Sequence, residues 1–438
     1  MASVSEQLLS NLSWSAWSKA KDLHKRIWFT LGIFVVYRFG TYIPLPGIDP
    51  NELASWTHQY ANGILGMFNL VSGGALGRMS IMALNLMPYI SASIIVQLMT
   101  AIFPHFIALK KEGESGRRKL SQYTRYGTVI LASMEAMGIA SWISSYPKLV
   151  VDSGPFFFAS TVVTIVGATL FLMWLGEQIT SRGVGNGSSM IIYAGIVAGL
   201  PPKMVSTIMM SRAGGVSSGS VMATVAIIMF VVVLIIFVER AYRRVVVQHP
   251  KRQVGRQVYS SEQTYMPIKI NSTGVLPPIF ALAFLSFLRI FAQSRIVSEI
   301  YPLQLFFRYF FTEAWLFMLI EIVVIVFFAF FYTPIVFNPD ETAENLRKSG
   351  GFIPGYRPGK MTAEFFSYLL TRLTVIGAAY ISFVVVLPSF LNYMFKMDFP
   401  FQGTSFLIAV GVSLDMITQV HSYLIAHQYE NLLRRGKR

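Results

Sequence analysis

The chain has 438 residues, 54% hydrophobic and only 13% charged, with a formal net charge of +15 and no cysteine. Soluble domains carry about 25% charged residues, so the composition excludes an ordinary soluble protein and reads as a polytopic membrane protein. Disulfides and thiolate metal sites are excluded with the cysteines.

Residues 1–26 are polar and amphipathic, without a cleavable signal pattern, so the first spanning helix must itself direct insertion. Ten stretches then have the length and apolarity of spans: 27–43, 79–103, 123–143, 156–179, 188–205, 221–238, 275–291, 313–332, 373–390 and 404–424. An even number of spans puts both termini on one side of the membrane. The basic tail 425–438 follows the last span.

The stretch 63–103 organises the chain. Its first part, 64–71, is apolar but broken by Gly66 and Asn69 and stopped by Ser72, Gly73 and Gly74. Crossing a bilayer takes about 20 residues, so this piece is too short to span. It reads either as a re-entrant helix blocking a cavity or as a loop folded on the outer surface. The following span contains Pro88, which predicts a kink, with Leu86 and Ile90 on one helix face across it.

Lys and Arg choose the side. Of 36, only Arg38, Arg78, Lys148, Lys203, Arg212, Arg289, Arg295, Arg308 and Lys396 fall away from the loops that share a side with the termini. The positive-inside rule therefore places both termini in the cytoplasm, and the positive excess is mostly topogenic rather than a nucleic-acid footprint. Five spans per half (27–205 and 206–424) would insert the halves with opposite orientation, the inverted-repeat plan that places a substrate path between them.

Two cytoplasmic loops are long, about 240–271 and 338–371, and Gly and Pro at 350–359 fix turns in the second. A stiff, basic, partly aromatic loop favours a docking surface over a linker. Zinc-protease, nucleophile-elbow and nucleotide-loop motifs do not occur, and Gly183–Gly187 reads as a tight turn, since it lacks a phosphate-loop lysine. Arg38, Glu135, Glu321 and Asp415 lie near the middle of spans, where ionisable groups default to function; the bland readings are snorkelling and interhelical hydrogen bonding.

The loops carry a resemblance. Lys110 to Arg118, Gln122 to Gly127, Tyr42 to Gly47, Met87 to Ser91, Gly185 to Gly187, Pro267 to Asn271 and Pro354 to Gly359 resemble signatures of the bacterial SecY/Sec-alpha family, in order, from about Arg26 to Tyr429. That resemblance implies an all-α polytopic membrane protein. Ten transmembrane helices would form two inverted five-helix halves around a central pore with a re-entrant plug helix. The plug would be about 61–77, with Ile64, Leu65, Met67, Phe68, Asn69 and Leu70 in it. The apolar pore ring would be Leu86, Ile90, Ser188, Ile192, Ile279 and Ile408. Ser188 departs from the usual aliphatic residue and predicts a slightly leakier seal; a narrow apolar collar resists ions by dewetting. The lateral gate would include Ser91, Glu135 and Asn271, and Arg252, Arg256 and Arg357 would meet a motor or ribosome.

The implied function is a protein-conducting channel of the bacterial inner membrane that moves unfolded polypeptides across and releases apolar segments sideways. It is not expected to be an enzyme, and no cofactor is implied. The implied partners are SecE- and SecG-like small membrane subunits, the SecA motor ATPase, the ribosome through its RNA, signal peptides and secretory polypeptides, and the lipid bilayer. The alternative from composition alone is an inverted-repeat secondary transporter of small solutes, which needs a polar site at broken helices near the midplane.

Overall fold

The computed structural model describes residues 21–49, 52, 73–144, 146, 149–150, 154–212, 218–249, 253–254, 257–258, 263–292, 301–395 and 403–436. Helices occupy all ten expected spans. They are α1 (Lys21–Gly40), α2 (Met87–Ile102), α4 (Glu114–Ser144), α5 (Pro155–Arg182), α6 (Gly187–Arg212), α7 (Ser218–Glu239), α8 (Leu276–Ala292), α10 (Ala314–Val336), α12 (Lys360–Phe395) and α13 (Gly403–Gly436). Between them lie α3 (Pro104–Lys111), α9 (Tyr301–Thr312), α11 (Pro339–Lys348) and strands β1 (Tyr242–Gln248), β2 (Gln253–Val254), β3 (Gln257–Val258) and β4 (Gln263–Lys269). Among the described residues, six helices are each long and apolar enough to cross a membrane, and α2 with α3, bent by 97°, makes a possible seventh. The helical continuation of α6 and α8 is longer than their apolar parts, Gly187–Pro202 and Leu276–Leu285.

The chain divides into two compact units, Met1–Met209 with Ile408–Arg438, and Met210–Leu407. The expected halves ended at residue 424; here the last helix from Ile408 onward groups with the first unit.

In the first unit α4 packs on α2 and α5. The reason is a stripe of small side chains: Thr124, Thr128, Ala132, Ala136 and Ala140 recur every four residues and are all buried. Small residues on one face let neighbouring backbones approach, and a Cβ on Gly127 would lie 3.3 Å from the Ala92 methyl. Leu45, Met79, Ile143, Val150, Phe157 and Ile165 form the core at one end of this unit. Backbone bonds between Leu45 N and Met79 O (2.8 Å) and between Ile81 N and Ile43 O (2.9 Å) tie the two turns that flank it.

Two expectations about the second span are corrected. The helix starts at Met87, not Met79, and Pro88 sits in its first turn, where its missing N–H costs nothing and no kink follows. Residues 73–86 are turns, with Met79 at φ 44° and Asn85 at φ 51°. The sharp bend instead falls at Phe103, between α2 and α3.

In the second unit α10 packs between α8 and α12. Phe280 meets Phe328 and Tyr332 edge-on at 5.9 and 5.3 Å, and Thr333 and Thr374 hydroxyls lie 3.0 Å apart. The loop 240–271 carries an antiparallel ribbon, β1 on β4, with Val245 opposite Met266. Val245, Val246 and Val247 are β-formers on a pleated ribbon, and Pro267 is tolerated because a two-stranded ribbon has only edges. The loop 338–371 contains α11, whose Asn338 Oδ1 caps the amides of Asp340 and Glu341 at 3.1 and 3.4 Å. Reciprocal bonds of 2.9 Å between Gln248 and Phe352 join the ribbon to this second loop. Val245, Ile268, Ala343, Ile353, Phe366 and Leu370 then close a shared core, so two loops read separately from sequence form one platform at the base of α12.

Candidate functional site

The ring positions are built on four helices. Leu86 caps α2 and its carbonyl accepts from Ile90 N at 3.0 Å, so the two lie one turn apart; they are 1% and 8% exposed. Ile192 on α6 and Ile408 on α13 are 3% and 1% exposed. Tyr193, next to Ile192, and Ser413, five residues beyond Ile408, bring α6 and α13 together, Ser413 Oγ donating to Tyr193 OH at 3.4 Å. Ile279 sits in the first turn of α8, in the second unit, and is 5% exposed.

Ser188 stands in the first turn of α6. Its amide and hydroxyl both donate to Asn186 Oδ1, at 3.2 and 2.9 Å, so the hydroxyl has a partner within its own turn. Gly185, at φ +91°, makes the tight turn expected there. Gly187 passes against the Gly176 backbone, where any side chain would collide.

Ile64, Leu65, Met67, Phe68, Asn69 and Leu70 lie outside the described residues. The described residues that follow them form an anchor that sequence reasoning missed. The Gly73 carbonyl accepts from Arg38 Nη1 at 2.8 Å and from Arg78 Nη2 at 2.9 Å. Both guanidiniums lie over the Tyr42 ring, at 4.9 and 4.3 Å from its centroid. Arg38 also donates to Tyr42 OH at 2.9 Å, and Arg78 Nε to Thr41 O at 3.1 Å. Burial, and then the like charge of Arg38, lower the proton affinity of Arg78. On its other side Gly73 touches α6: a Cβ there would lie 2.9 Å from Gly195 Cα, one turn beyond Ile192. Arg38 belongs to the last turn of α1 rather than mid-span, so it is a tether at a helix end. The sequence offers no local signal for it, since Arg38 lies 35 residues from Gly73 and both arginines bind a backbone carbonyl.

Of the gate positions, Ser91 on α2 and Glu135 on α4 are half-buried. Asn271 is 3% exposed. Its Nδ2 donates to Glu239 Oε1 at 2.7 Å and Gly274 O at 3.0 Å, and its Oδ1 accepts from Thr273 at 3.1 Å. Asn271 thus locks the end of α7 to the entry of α8. Of the mid-span acids, Glu321 is 3% exposed, while Asp415 is exposed.

Arg252 and Arg256 lie outside the described residues. Arg357 is exposed on the turn between α11 and α12, its carbonyl held by Thr362 Oγ1 at 2.8 Å. The adjacent Tyr356 packs on Phe365 at 4.5 Å, so the turn is fixed to α12. Arg125, from another of the motif loops, makes a forked pair with Glu177 at 2.7–3.1 Å, joining α4 to α5. Among the described residues, no group of His, Asp or Glu could hold a metal ion.

This arrangement of helices has the fold of protein-conducting channels. It matches a structure described as that of a protein conducting channel with a TM-score of 0.65 at 17% identity, covering 92% of each chain. It matches Sec61 in a canine ribosome–channel complex with a TM-score of 0.61 at 16% identity, again over 92% of each chain. A sequence profile of the SecY family matches residues 80–417. The protein translocase subunit SecY of Escherichia coli K12 is 47% identical over 430 residues, 95% of both chains. That of Rickettsia bellii is 47% identical over 425 residues, 95% of this chain and 97% of the relative. The chain belongs to the SecY family, a multi-pass membrane protein family.

Proposed function

We infer that the chain is the protein-conducting channel of a bacterial translocase, moving unfolded secretory polypeptides across the inner membrane and releasing apolar segments into lipid. The observation that carries this is near half identity to translocase subunits along 95% of the chain. In this reading Leu86, Ile90, Ser188, Ile192, Ile279 and Ile408 form the constriction. An apolar collar grips no particular sequence and excludes ions by dewetting. The hydroxyl of Ser188, already bonded to Asn186, attracts water less than a free one would.

Residues 61–77 serve as the plug, with Gly73 as its fixed root. Ser91, Glu135 and Asn271 hold the lateral gate. Polar groups between membrane helices contribute about 0.6–2 kcal/mol each. Ten guest leucines entering lipid gain about 3–6 kcal/mol. A signal peptide can therefore open such a seam, whereas driving a polar chain across needs an outside push. Arg357, on a turn braced by Tyr356, and Arg252 and Arg256 suit docking of the SecA ATPase or of ribosomal RNA, since the guanidinium fork fits phosphate and carboxylate. SecE- and SecG-like subunits complete the assembly, and both termini face the cytoplasm. Deleting 64–73 tests the plug: resting ion leak rises with export retained. Tight vesicles after that deletion would remove the plug assignment.

A further inference from the structure

The helix α9 is apolar on two sides, with Gln304 and Arg308 forming a polar stripe between them. Phe307, Phe310 and Phe311 share one side, where Phe310 is 7% exposed, and Phe311 reaches Phe317 of α10 at 6.4 Å. The opposite side stays open although it is rich in large apolar side chains: Tyr301, Leu305, Phe306 and Tyr309 are 73%, 55%, 60% and 55% exposed. A row of large apolar side chains this exposed marks a surface that meets a partner or a membrane rather than water. Along the open side runs a groove of about 490 Å³ lined by Pro302, Leu305, Phe306, Arg308, Tyr309 and Glu313, a size typical of small-molecule sites.

Two observations identify what covers it. Trp315, Leu319, Val323 and Phe327, four apart along α10, are all exposed, an apolar stripe of the kind a bilayer covers, and α10 follows α9 after the single residue Glu313. Trp and Tyr at such a junction match the interfacial belt of a bilayer. The groove also carries one cation and one anion, Arg308 and Glu313. Guanidinium suits phosphate, and carboxylate accepts hydrogen bonds from an ammonium. Arg308 already has a partner within the protein, and five N–H donors can serve more than one.

We propose that this groove binds a zwitterionic aminophospholipid at the membrane face opposite the loop platform, with phosphate at Arg308, the primary ammonium at Glu313 and an acyl chain along Leu305 and Phe306. The site requires that the helices span a bilayer and is independent of polypeptide conduction. To test it, the delipidated assembly containing this chain is titrated with phosphatidylethanolamine, phosphatidylglycerol and phosphatidylcholine, and bound lipid is counted by native mass spectrometry. One phosphatidylethanolamine is retained about tenfold more tightly than either other lipid, because only it pairs with both charges. Glu313→Leu, which leaves no acceptor for the ammonium, abolishes the preference over phosphatidylcholine, whose quaternary nitrogen cannot donate. Arg308→Gln weakens all three about tenfold, and Arg308→Lys restores binding, which separates charge recognition from misfolding. Equal retention of the three headgroups, or variants that bind as the parent does, overturns the proposal. So does a photo-crosslinker at Phe306 that labels a polypeptide rather than lipid in native membranes.

Discussion

Replacing Gly73 by alanine puts a methyl group where two backbones already meet. The new Cβ would lie 2.9 Å from Gly195 Cα and 3.0 Å from Gly195 O, and neither atom can swing aside. The backbone at φ +64° adds about 1–2 kcal/mol of left-handed strain for any residue with a side chain. Relieving the overlap draws the Gly73 carbonyl from at least one of its two guanidinium donors, and a bond to a charged group contributes about 1.5–3 kcal/mol. The total, about 2.5–5 kcal/mol, corresponds to roughly two to three and a half orders of magnitude in favour of the released state. The assay is ion flux from vesicles holding the resting assembly, with no precursor present. Leak is expected to rise at least tenfold, given about 1.4 kcal/mol per decade, with smaller rises for Arg38→Gln and Arg78→Gln. A variant that loses thermal stability yet leaks no more than the parent would show that Gly73 serves packing alone.

Asn271→Ala leaves Glu239 without its 2.7 Å donor inside a buried turn, and should lower unfolding free energy by about 2–4 kcal/mol; a loss below about 1 kcal/mol in denaturant titration would show that water replaces the amide. Arg357→Glu reverses charge on an exposed turn without touching a core. It should block motor-driven export while leaving insertion of simple membrane helices less affected, and equal loss of both would refute its docking role.

The ten spans were legible because burial in lipid demands long apolar runs, and each run became a helix. Their ends were not: α4 begins at Glu114 and α12 at Lys360, both ahead of the apolar stretch, because helix continues through polar sequence once its first turns are packed. Pro88 was misplaced for a related reason. A proline in a helical pattern marks either a kink or a first turn, and only the turns at 73–86 decide which. The α11 cap, Asn338-Pro339-Asp340-Glu341, is a helix start legible in the sequence, short and set beside the Gly-Pro turns that follow it. The β1–β4 ribbon was hinted at by three consecutive valines, yet its pairing across fourteen intervening residues is long-range. The ring residues read as ordinary packing without the family resemblance, and the structure leaves each buried or half-buried. The Arg38–Gly73–Arg78 anchor depended on contacts to a backbone carbonyl, which no side-chain pattern encodes.

The most direct measurement places a photo-crosslinker at Ile90 or Ile279, one in each compact unit, and stalls a secretory precursor in the assembly. The account predicts that both positions label the same translocating polypeptide, and that labelling vanishes when the precursor is chased through. Efficient export with neither position ever touching the chain would contradict it.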